Sequence, residues 1–167
     1  MAAVKSVKID GQNIHIFNSA IYIFESTSGY TLELDLIVSE VTERKYKKEQ
    51  NLIIEIELDS GRLIDSIMHV KTLSGGLPQL NLYSDLDTID EYEELDLVNE
   101  NSSSFPNVEE GITLEQIRKV EMPNENISLK LNLPIDQVEW LKTQKKSNLN
   151  QMLSEFISGY WKKRDES

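Results

Sequence analysis

Along the first hundred positions hydrophobic and polar residues alternate with a period of two, which predicts β-strands. "SVKI" and "NIHIF" flank Asp10-Gly11, and "AIYIFE" and "YTLELDLIV" flank Ser26-Thr27-Ser28-Gly29; both junctions are hairpin turns by composition. "NLIIEIEL" meets "RLIDSIMHV" across Asp59-Ser60-Gly61. Two weaker strands are expected in "PQLNLYS" and "YEELDLV", around the loop "SGGLP", whose Ser74-Gly75-Gly76 reads as a turn. Six to eight short strands at this spacing predict a small antiparallel β-sandwich or partly open barrel over residues 1–98. The charged stretch Thr42 to Gln50, "TERKYKKEQ", is expected as a long exposed hairpin connection or a charge-protected edge.

The pattern then changes. Residues 99–111, "NENSSSFPNVEEG", hold few large apolar side chains and read as a linker. Residues 112–125 begin with Thr113 as an N-cap, and Ile112, Leu114, Ile117 and Val120 fall on one face of a short helix. Strict alternation returns in "NISLKLNLP", placing Leu129, Leu131 and Leu133 on one face of a strand and Ser128, Lys130 and Asn132 on the other. Pro134 suits the first turn of a helix carrying Ile135, Val138 and Leu141. Lys145 to Asn148 read as a polar turn, with Ser147 or Asn148 as the cap of a second helix. That helix carries the stripe Leu149, Met152, Leu153, Phe156, Ile157 and Tyr160 at a period of 3.6. The whole is α+β. One strand makes no sheet, so the strand at 126–133 requires a partner.

A hydrophobic content of 39 % supports a packed core, and no run approaches the roughly 20 apolar residues that span a bilayer. With no apolar leader in "MAAVKSVKID" and no cysteine, we expect a cytoplasmic protein without membrane contact, disulfide or thiolate metal site. The net charge of −12 opposes nucleic acid only if it is spread evenly. It is not: residues 1–125 hold 10 Lys/Arg against 24 Asp/Glu, whereas residues 126–167 hold 7 against 5. Lysines gather at Lys142, Lys145 and Lys146 and again at Lys162 and Lys163 beside Arg164.

A strand of alternating polarity, a helix, a polar turn and a second helix over residues 126–164 resemble the ribbon-helix-helix family, the MetJ/Arc-type DNA-binding proteins. The resemblance implies that the missing strand partner is a second copy of the chain, so that two strands form a ribbon and the helices of both chains interlock beneath it. Leu129, Leu131, Leu133, Leu149, Leu153, Phe156 and Ile157 would then form the dimer core. Ser128, Lys130 and Asn132 would read base edges in the major groove, and Lys145, Lys146, Ser147 and Asn148 would meet phosphate at the start of the second helix.

Other residues offer less. His15 and His69 read as ordinary sheet residues, the acidic run Asp85 to Asp96 as a solvated face, and Trp140 and Trp161 as core or dimer-interface packing. No nucleophile, base and acid combine into a defensible triad, and no phosphate-cradling loop is present, so neither an enzyme nor a cofactor or metal is expected. The expectation is a homodimeric DNA-binding regulator or antitoxin-like protein whose acidic β-domain meets a protein partner. The alternative is an acidic interaction or inhibitor module, DNA-mimicking and of mobile-element origin, whose C-terminal helices only dimerise.

Overall fold

The structure is a computed structural model that describes residues 2–71 and 75–166, so Ser74 of the expected 74–76 turn lies outside the described residues. The chain forms two compact units, Met1–Asn124 and Glu125–Ser167.

The first unit contains eight strands: β1 (Val4–Ile9), β2 (Gln12–Ile14), β3 (Asn18–Ser26), β4 (Gly29–Ile37), β5 (Asn51–Leu58), β6 (Leu63–Lys71), β7 (Gln79–Leu86) and β8 (Leu97–Asn99). They form one sheet in the order β2-β1-β5-β6-β7-β4-β3-β8. The Asp10-Gly11 turn has φ of 49° and 81°, the left-handed pair that a two-residue type I′ hairpin demands. The β3–β4 hairpin closes with Ser26 opposite Gly29.

The expected antiparallel sandwich or barrel is corrected to a single open, mixed sheet. β6 pairs with β7 from His69 to Lys71, which joins the two halves into one ladder. β2 and β8 remain separate edges, and β8 runs parallel to β3. The sheet nevertheless wraps one core: β1 and β3 touch although four strands separate them in the ladder, and Ile54, Leu34, Met68 and Leu82 are fully buried together. Each such side chain contributes about 1.5–3 kcal/mol relative to exposure.

Residues 42–50 also differ from expectation, because Glu40–Tyr46 form a helix, α1, in place of an extended connection. The Ser39 hydroxyl accepts a hydrogen bond from the Thr42 amide, while Glu40 and Glu43 at the start and Arg44 and Lys45 at the end oppose the helix dipole correctly. Tyr46 anchors it in the core. Within the acidic run, residues 90–92 make a 3-10 turn, and of the expected "YEELDLV" strand only Leu97 and Val98 pair, in β8. Arg62 holds this run by an ion pair to Glu94 at 2.8 Å and by lying over the Tyr92 ring.

Residues 99–111, expected as a linker, lie within the first unit and pack against the outer face of the sheet. Val108 is buried with Ile37 and Ile117, its carbonyl accepts a bond from the Asn18 amide at 2.8 Å, and Phe105 meets the rings of Tyr22 and Phe24. Composition misreads the segment because two well-placed apolar residues suffice to hold it. α2 (Leu114–Val120) follows, opened by a capping box between Thr113 and Gln116. Ile117 is its buried residue and Val120 is exposed. Arg118 makes two hydrogen bonds to Glu40, and the Ser39 hydroxyl donates to the Glu121 carboxylate.

The second unit holds two helices, α3 (Ile135–Thr143) and α4 (Lys146–Asp165). Residues 126–133 make no strand pairing among the described residues. The helices stand where the apolar periods put them.

Candidate nucleic-acid interface and dimerisation surface

Helix α3 starts at the proline: the Pro134 carbonyl accepts bonds from the Gln137 and Val138 amides, each at 3.1 Å. Its end is marked by the Thr143 hydroxyl donating to the Trp140 carbonyl at 2.6 Å. Gln144 and Lys145 form the connection to α4. The expected turn from Lys145 to Asn148 is therefore shorter, and neither Ser147 nor Asn148 caps α4. Lys145 occupies the cap position in extended conformation, and its carbonyl accepts from the Leu149 amide at 3.1 Å, which draws Ser147 and Asn148 into the first turn. The consequence is electrostatic. Lys145 and Lys146 sit beside the partial positive charge of a helix start whose first turn has no acidic residue, an unfavourable arrangement that a bound anion relieves.

Ser128, Lys130 and Asn132 are exposed. So are the residues expected beneath them: Leu129 is 63 % and Leu131 61 % exposed, while Leu133 and Leu149 are half-buried. Leu153, Phe156 and Ile157 are exposed along α4, as are Trp140 and Trp161. No described residue of this unit is fully buried. A groove of about 530 Å³ brings Asn126 to Lys146, Ser147, Leu149, Asn150 and Leu153, so the start of the alternating segment meets the start of α4. A second groove, of about 660 Å³, runs along Phe156, Ile157, Tyr160 and Trp161 to Arg164. Met152, Leu153, Phe156, Ile157, Tyr160 and Trp161 thus form an exposed apolar stripe along α4.

The remaining candidates lie in the first unit. His15 packs edge-on against Phe17, with ring centres 4.7 Å apart, and the His69 ring lies tilted against Tyr83 at 5.2 Å. Among the described residues no three His, Asp or Glu side chains gather as metal ligands, and no helix is long and apolar enough to cross a membrane. One polar constellation was missed in the sequence: Glu33 and Asp35 of β4 are buried although alternation places them away from the core. Their cover is residues 105–109, which are some seventy positions away in sequence, so no local signal reports it. Burial and the adjacent Asp35 carboxylate push the Tyr22 phenol above its usual pKa, so it serves as a hydrogen-bond donor.

No family model, no curated protein and no solved structure matches this chain.

Proposed function

We propose that the chain is a homodimeric DNA-binding regulator or antitoxin-like protein, in which residues 126–133 of two copies pair as a ribbon in the major groove. The observation that carries this reading is the lack of any buried residue among the described residues of the second unit: an alternating segment and two amphipathic helices leave their apolar faces in water. Pairing two alternating segments satisfies their backbone groups and turns Leu129, Leu131 and Leu133 onto a shared core. It leaves Ser128, Lys130 and Asn132 on the opposite face. There lysine suits guanine O6 and N7 and asparagine suits an adenine edge. Lys145 and Lys146, with the first amides of α4, supply phosphate contacts that fix the register. The net positive balance of residues 126–167 supports this despite the acidic first unit.

The test is a gel-shift titration against selected DNA at two salt concentrations, with sedimentation on the same samples. Lys130→Ala together with Asn132→Ala should leave the dimer intact, while each lost base contact costs about 1–3 kcal/mol of discrimination. A parent dimer that binds no DNA at low salt removes the regulator reading. The acidic interaction-module reading, which draws on the 24 Asp/Glu of residues 1–125, then takes its place.

A further inference from the structure

Glu33 and Asp35 stand two residues apart on β4, so both side chains leave the sheet on the face opposite the core. They are 3 % and 9 % exposed. The Lys71 ammonium lies 2.5 Å from Glu33, which also accepts from the Thr31 hydroxyl at 2.7 Å. Asp35 is held by neutral groups: the Tyr22 hydroxyl donates to it at 2.9 Å and the Asn81 amide at 2.7 Å. The segment 105–109 passes over this floor and is fastened at its margins. Phe105 meets Tyr22 and Phe24 with ring centres 6.0 Å apart, and Glu109 accepts from the Leu77 amide at 2.9 Å and the Gln79 side chain at 3.3 Å. None of these bonds ends on Glu33 or Asp35. Between floor and strap is a cavity of about 370 Å³.

Its walls carry three carboxylates, Glu33, Asp35 and Glu109, against one ammonium, Lys71. Burying carboxylates is costly unless their charge is answered, and Lys71 answers one of them. Apolar surface comes from Phe24, Phe105 and Val108. A planar, weakly hydrated cation suits such a mixture better than a compact ammonium ion does, because it shares donors between carboxylates and lays its face on aromatic rings. The volume is near the lower end of small-molecule pockets, roughly 300–1,000 Å³, enough for such a group and a short aliphatic stem.

We propose that this cavity binds a guanidinium group, with Asp35 as its principal counter-charge and Phe24 and Phe105 against its face. The group arrives either on a free small molecule or on an arginine side chain of a partner polypeptide. The site belongs wholly to the first unit and does not depend on the DNA-binding reading.

Calorimetric titration of the full chain with agmatine, and separately with the capped peptide acetyl-Gly-Arg-Gly-amide, tests it. Saturable binding of at least one probe is expected, with the lysine counterpart of the peptide weaker. Asp35→Asn, which keeps shape and acceptor, should weaken it by about tenfold or more. Phe105→Ala, at a half-exposed position of the strap, should weaken it several-fold in a protein whose circular dichroism is unchanged. Saturation by agmatine alone identifies a free ligand, and saturation by the peptide identifies a partner's arginine. The proposal is overturned if neither probe saturates the folded parent by about 10 mM, or if binding persists undiminished in both variants.

Discussion

Leu32, Leu34 and Leu36 in β4 are removed from water completely, whereas Leu129 and Leu131, on a stretch of the same alternating pattern, stay more than half exposed. The difference is one of neighbours. β4 has β3 on one side along its whole length, β7 on the other from Tyr30 to Ile37, and a core on one face. Residues 126–133 make no ladder among the described residues. Alternation specifies which side chains share a face, and it is silent about what covers that face. The electrical contrast runs the same way: residues 1–125 carry the acidic excess and residues 126–167 a slight basic one. The first unit buries a core of its own, and the described residues of the second do not.

The contrast breaks most sharply at Leu131. Leu131→Asp places a carboxylate in the proposed shared core, and sedimentation should show the dimer lost while the first unit keeps its β circular dichroism. Trypsin should then digest that variant from Lys130 onward and leave a fragment that retains residues 99–111, since Val108 and Asn18 hold that segment to the sheet. Leu34→Ala probes the other side of the comparison. It should lower unfolding stability by about 2–5 kcal/mol in denaturant titration and leave the oligomeric state of the folded protein unchanged. Lys145→Ala with Lys146→Ala should weaken binding to all DNA sequences alike, reducing the slope of log affinity against log salt by about 2. The smallest effect is expected from Thr113→Ala, which removes the α2 cap and should cost about 1 kcal/mol with no change in sedimentation or DNA affinity.

Much of the first unit was legible because its signals are local. Asp10-Gly11 specifies its hairpin through two left-handed residues, and Thr113 specifies the start of α2 through its own side chain. α1 was hidden because only Tyr46 buries itself there, so no apolar period was visible; the signals that could have found it were Ser39 and the order of Glu40 and Glu43 before Arg44 and Lys45. The direction of β8 escaped, though not its place, because it pairs in parallel with a strand some seventy residues earlier, a relation that alternation cannot encode. The same distance in sequence concealed the cavity, since "LELDL" looks like any strand with a wet face until Phe105 and Glu109 are laid across it. In the second unit the helices were readable from their apolar periods, but the cap of α4 was misplaced by two or three residues because the backbone of Lys145 closes the turn without side-chain help.

The two margins of the sheet, β2 and β8, are three residues each. Edge strands that short present few open amides and carbonyls of their own, although β8 covers only Ile23 to Glu25 of β3. The stretch 126–133 is the opposite: eight residues, alternating, with one lysine and no proline before position 134, the composition that feeds cross-β growth when left open. In the proposed dimer, two-fold pairing would consume that stretch on both chains at once, because each copy would meet the same stretch of the other, and assembly would stop at two. Closure by symmetry in that dimer would protect against polymerisation, and a variant that weakens the proposed pairing should be more prone to form filaments as its concentration rises.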